Sequence, residues 1–139
     1  YMQSHGVNYE ILGYHYYVFS GDSPYKAWSK ETPRFDLFQK LSSYGKPVRF
    51  TEVNASEIYD KSYGNREDDA DTQKGYKSLS DTLSYLKGQK DMKLEEVDLY
   101  ELLDEPEKTA PESSFGLMYN LSSPKTALSI VKTFSTAAP

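Results

Sequence analysis

Three stretches rich in β-branched and aromatic residues alternate along this chain with segments of helical period, and that alternation decides most of what the chain can become. They are residues 9–19 (YEILGYHYYVF), 46–54 (KPVRFTEVN) and 97–103 (VDLYELL). Between the first two, Phe35, Phe38 and Leu41 recur at helical spacing ahead of Gly45, a C-terminal stop. Between the second and third, Tyr76, Leu79, Leu83 and Leu86 mark one helix face. Asp68, Asp69 and Asp71 suit the start of that helix, and Gly88 ends it. Beyond Pro111, residues 115–119 (FGLMY) read as a short strand. Ser122 or Ser123 then caps a last helix, with Pro124 in its first turn and Leu128, Val131 and Phe134 along it. The order is β-α-β-α-β-(β)-α, in which the strands pair in parallel and the helices lie outside the sheet.

Three strands make a poor parallel sheet, because both faces and both edges need cover. A closed (β/α)8 barrel takes about 250 residues, and the 139 here supply roughly three of its eight units. The α/β chain therefore reads as part of a larger barrel, residues 1–139 forming one incomplete piece that needs the rest of the barrel as a second chain or a preceding segment. A start at Tyr1 rather than Met agrees with a processed form or a piece. Barrel geometry predicts helices on one side of the sheet only, with Val48 and Phe50 on the inner face.

Composition excludes several classes. Sixteen basic against 21 acidic residues give a net charge of −5, which argues against a nucleic-acid or anionic-membrane partner. No run approaches the ~18 apolar residues of a membrane span. The absence of cysteine removes disulfide scaffolds, zinc–cysteine sites and thiol nucleophiles together. Thirteen tyrosines suit a polar ligand such as a sugar, and equally suit strand interiors.

The sharpest candidate is Glu52, in Phe50-Thr51-Glu52-Val53-Asn54, at the C-terminal end of a predicted strand with a long loop behind it. Catalytic groups of (β/α)-barrels sit at that end. A carboxylate there is ionised at neutral pH and can attack an anomeric carbon, then depart again; the competing reading is a glutamate that caps a turn. Period two predicts Val48, Phe50 and Glu52 on one face of the second strand. In the first strand it places His15 and Tyr17 on one face, opposite Tyr14 and Tyr16, where the pair could bond a sugar hydroxyl and hold a carboxylate ionised. Asp104 and Glu105, at the exit of the third strand, read either as hydroxyl binders or as a solvated loop. Two histidines without metal-ligand spacing speak against a zinc site, and no metal or other cofactor is expected. Two Asn-x-Ser triplets occur, at Asn54 and Asn120; a glycan at Asn54 would obstruct a site built on Glu52.

Together these segments resemble the C-terminal part, strands six to eight, of retaining glycoside hydrolases of clan A, nearest to the β-xylosidase-like and cellulase-like families. His15 and Tyr17 match the sixth-strand pattern, and Lys46, Pro47, Thr51 and Glu52 match the seventh-strand context of the nucleophile. Phe115, Gly116, Leu117, Pro124, Lys125 and Ala127 match the phrase that opens the last helix. The likeness runs from about Tyr9 to Phe134. It implies a (β/α)8 fold and double displacement on a β-linked poly- or oligosaccharide, with Glu52 as nucleophile and His15 and Tyr17 orienting it and the substrate. The family's general acid/base follows a fourth strand that is not in this chain, so the N-terminal half of the barrel is an implied partner. Its eighth strand usually presents a tryptophan to the sugar; here Tyr100 stands in that strand, and the only tryptophan, Trp28, lies in the loop after the sixth. Tyr16, Trp28 and Tyr59 are further candidates for stacking on sugar rings. The expected setting is extracellular or cell-surface. Two other readings compete: a barrel-derived carbohydrate-binding or structural protein without turnover, and an independent small α/β binding module.

Overall fold

The computed structural model describes residues 3–18, 37–55, 67–109 and 112–136. Three strands, β1 (Leu12–Val18), β2 (Val48–Ala55) and β3 (Leu94–Leu99), form a sheet in that order, and both pairings are parallel. Helix α1 (Leu37–Ser42) connects the first pair and α2 (Ala70–Lys87) the second. A small antiparallel pair, β4 (Met118–Asn120) and β5 (Ser123–Pro124), precedes helix α3 (Thr126–Thr136). The chain is thus mixed α/β with a parallel sheet, as the alternation requires.

Helices α1 and α2 are fixed by local chemistry. Asp69 Oδ1 accepts the Thr72 amide at 3.2 Å and caps α2, and Gly88 closes it through its amide to Ser84 O at 3.1 Å. Helix α1 ends at Gly45, whose φ of +65° is the left-handed conformation of a helix C-terminus and whose amide bonds Ser42 O at 2.9 Å. The apolar stripe of α2 is fully buried at Tyr76, Leu79, Leu83 and Leu86. Phe38, Leu41 and Leu37 do the same for α1; Phe35 lies outside the described residues.

The faces of β2 depart from simple alternation. Val48, Phe50 and Val53 are wholly buried in a core with Tyr16, Leu37, Phe38, Leu41 and Leu86, so this face packs on the helices. Phe50 meets Phe38 edge-on at 5.6 Å and Tyr16 at 5.9 Å. Between Phe50 and Val53 the register slips: Tyr14 pairs with Phe50 but His15 pairs with Glu52, leaving Thr51 as an extra residue. A β-bulge of this kind inverts the alternation beyond it. Glu52 therefore does not share a face with Val48 and Phe50; it joins His15 and Tyr17 on the opposite face. Val48 and Phe50 are likewise not inner-face residues in need of cover, because α1 and α2 already cover them. The open face is polar instead: at its lower end Arg49 pairs with Glu95 at 3.2 Å and Glu96 at 3.4 Å.

Several boundaries also differ from the sequence expectation: β1 is shorter than residues 9–19, β3 begins at Leu94 rather than Val97, and the short strand is Met118–Asn120 rather than 115–119. The third strand ends at Leu99 rather than continuing to Leu103. Past that point the backbone leaves β2 and pairs with the Phe115 segment, Glu101 N donating to Phe115 O at 3.1 Å and Leu117 N to Glu101 O at 2.9 Å. The last helix starts at Thr126, not at a Ser122 or Ser123 cap, and Pro124 lies in β5. Its N-terminus is capped from a distance by Glu67, whose Oε2 accepts Thr126 Oγ1 at 2.7 Å and Thr126 N at 3.4 Å. The Tyr76 and Tyr119 hydroxyls donate to the other oxygen at 2.5 and 2.9 Å. Burial opposes the charge of this carboxylate, yet the donors from Tyr76, Thr126 and Tyr119 outweigh it and hold its pKa below the usual value. No local sequence signal can announce a cap drawn from 59 residues away.

Candidate functional site

The bulge and the parallel register bring three of the sequence candidates together. Tyr17 O–H donates to Glu52 Oε2 at 2.6 Å, and His15 Nδ1 lies 3.4 Å from the same oxygen. Glu52 is about one third exposed, enough for a ligand to reach it, whereas His15 is 59% exposed. Burial first, and then the hydrogen bond to and the charge of Glu52, with smaller contributions from Tyr100 and Glu101, push the Tyr17 phenol well above its usual range. The phenol therefore stays protonated at neutral pH and keeps donating to Glu52. A carboxylate so held can act as a nucleophile or as an acceptor for hydroxyl groups.

Tyr100 belongs to the same cluster. Phe115 lies between it and Tyr17, its ring centroid 5.8 Å from each. The Tyr100 hydroxyl accepts Lys108 Nζ at 3.3 Å, and the peptide between Tyr100 and Glu101 is cis. Asn54, which the sequence offers only as a glycan acceptor, is buried and ties this end of the sheet together: its Nδ2 donates to Tyr100 O and, at 3.0 Å, to Phe115 O. Tyr16 cannot stack on a ligand, because it is 4% exposed on the helix face between Phe38 and Phe50. Trp28 and Tyr59 lie outside the described residues.

The acids after β3 have separate roles that composition does not reveal. Asp104 neither binds ligand hydroxyls nor faces solvent. It is buried with Lys125 Nζ at 2.6 Å, and its Oδ1 also accepts Gly116 N at 2.8 Å. Gly116 is obligatory there, since a Cβ at that position would stand 2.3 Å from Asp104 N. Glu105 pairs with Lys108, and that hydrogen bond holds its carboxyl below the usual range. Glu101 is different: burial, then the charge and hydrogen bond of Glu105, push it from 4.5 up to about 7, against the pull of Lys108. Neither Glu101 nor Lys108 carries a recognisable motif; only their clustering in the fold singles them out.

Two variants test this geometry. Tyr17→Phe removes one hydrogen bond to a charged group, worth about 1.5–3 kcal/mol, so the denaturation midpoint should fall by a corresponding amount. The Phe ring keeps its contact with Phe115, so the loss reports the hydroxyl alone. A raised carboxyl pKa means that the folded state holds more protons, so the stability contributed by Glu101 is complete below pH 4.5 and lost as pH rises to about 7. Glu101→Gln should flatten that part of the profile, read as denaturation midpoints across the range. A slope that survives the substitution would assign it to other groups.

Among the described residues no three His, Cys, Asp or Glu side chains come together as a metal site, and no helix is long and apolar enough to cross a membrane. A groove of about 410 Å³ runs between α2 and α3, past Leu83, Ile130 and Phe134, and none of His15, Tyr17, Glu52 or Tyr100 lines it. No protein-family model, no curated protein and no solved structure matches the chain.

Proposed function

We propose that this chain is the strand-six-to-eight portion of a (β/α)8-barrel retaining glycoside hydrolase and that it supplies the nucleophile, Glu52. The observation that carries the reading is the 2.6 Å hydrogen bond from Tyr17 to Glu52 on the face opposite the helices. In a barrel that face is the interior, and the C-terminal ends of the strands form the mouth.

The mechanism is double displacement on a β-linked poly- or oligosaccharide. Glu52 attacks the anomeric carbon while an acid from the N-terminal half of the barrel protonates the leaving oxygen. Water then hydrolyses the glycosyl ester, activated by the same group acting as base. The two carboxyls stand about 5–5.5 Å apart in retaining enzymes. Tyr17 aims Glu52 through its hydrogen bond, His15 contributes a second polar group beside it, and Tyr100 offers a ring at the rim. The partner half also covers the open polar face and pairs with β1 and β3, the outer strands of the sheet among the described residues. Trp28 remains a candidate for sugar contact by its place in the sequence alone. The proposal places the protein outside the cell or on its surface.

The stereochemistry of the product tests the reading. In the assembled protein, the first-formed hemiacetal seen by NMR should keep the anomeric configuration of the substrate. An inverted product would remove Glu52 from the nucleophile role.

A further inference from the structure

We infer that Asn120 is an acceptor for N-linked glycosylation and that Asn54, which carries the same Asn-x-Ser motif, is not. Asn120 ends β4, and Asn120, Leu121 and Ser122 are all exposed at the tip of the β4–β5 hairpin, Leu121 to 82%. The Ser122 hydroxyl donates to Asn120 Oδ1 at 2.9 Å, and the Ser122 amide donates to the same oxygen at 3.0 Å. The hydroxyl that the motif requires is therefore already engaged with the acceptor amide. Two hydrogen bonds to the carbonyl oxygen draw electron density from the amide and make its N–H more acidic. Among the described residues Nδ2 itself has no partner.

Asn54 presents the opposite case. It is 1% exposed, and its Nδ2 is committed to the carbonyls of Tyr100 and Phe115. A glycan on that nitrogen would break both bonds and force a polar oligosaccharide into a closed joint of the fold. A buried amide so placed has no room for a transferase.

The co-substrate is a lipid-diphosphate-linked oligosaccharide. Nδ2 of Asn120 forms a bond to C1 of the first sugar, and the bond from C1 to the diphosphate oxygen breaks. The electron pair leaves on the diphosphate, and one amide proton passes to a base of the transferase. The hairpin tip is open to a transferase, because β4 and β5 are only three and two residues long and Leu121 between them is exposed.

The full chain, fused to a cleavable signal and translated into endoplasmic-reticulum microsomes, should gain one glycan, read as a mobility shift reversed by an N-glycan endoglycosidase. Ser122→Ala, which keeps Asn120, should abolish the shift. Ser56→Ala, which removes the Asn54 motif and keeps Asn54 itself, should leave it unchanged. An unshifted chain, a doubly shifted chain, or a shift that survives Ser122→Ala would each overturn the inference.

Discussion

On the proposed function, replacing Glu52 by Gln should lower glycosidase turnover of the assembled protein by at least about a thousandfold and leave its melting temperature nearly unchanged. Loss of a nucleophile removes the covalent route altogether, and removal of single nucleophiles elsewhere shows losses larger than this. Gln keeps the shape of Glu and can still accept the Tyr17 hydroxyl, but it has neither the charge nor an attacking oxygen. Stability should survive because Glu52 is partly exposed and contributes nothing to the cores on the helix side of the sheet. Calorimetry and steady-state kinetics on the same preparation separate the two effects. Activity within tenfold of the parent would exclude the nucleophile role. A large loss of melting temperature would make Glu52 a structural cap instead.

The largest effect on stability should come from Lys125. Its side chain and that of Asp104 are 3% and 1% exposed, so removal of the ammonium leaves a carboxylate buried without its counter-charge. Breaking a buried pair from one side costs about 3–5 kcal/mol, a large fraction of the total for a domain of this size. Lys125→Met should therefore lower the denaturation midpoint severely. Adding Asp104→Asn should recover most of the loss, because Asn is neutral and still offers an oxygen to Gly116 N. The Lys125 ammonium also donates to Ser114 O at 3.0 Å, so recovery falls short of complete. If Lys125→Met costs under about 1 kcal/mol, the pair is not the latch that the geometry describes.

That latch illustrates where sequence reasoning reaches and where it stops. The helical stripes of α1 and α2, their glycine stops and the parallel alternation are all local patterns, and each corresponds to a buried face or a bonded terminus in the fold. His15 and Tyr17 sharing a face is equally local. The face of Glu52 is not: it depends on a bulge at Thr51, where β2 carries one residue more than its pairing with either β1 or β3 uses. Strict alternation therefore puts Glu52 on the face of Phe50. The end of β3 and the start of α3 escape local patterns on the same grounds, since Phe115 and Glu67 reach them from distant segments. Asp104, Glu105 and Glu101 form one acidic run in the sequence, yet only the arrival of Lys125, Lys108 and the Phe115 segment gives them different roles. The opposite pKa directions of Glu101 and Glu105 follow from that arrangement and from nothing in the sequence order.

The most direct test of Glu52 as nucleophile is to trap the covalent intermediate. A 2-deoxy-2-fluoro glycoside with a good leaving group forms the glycosyl ester readily and hydrolyses it slowly, because fluorine destabilises the oxocarbenium-like transition state of the second step. Incubated with the assembled protein and followed by peptide mass spectrometry, a panel of such glycosides should label one residue of this chain, Glu52, and the label should be absent from Glu52→Gln. Labelling of any other carboxylate while Glu52 stays unmodified would contradict the account.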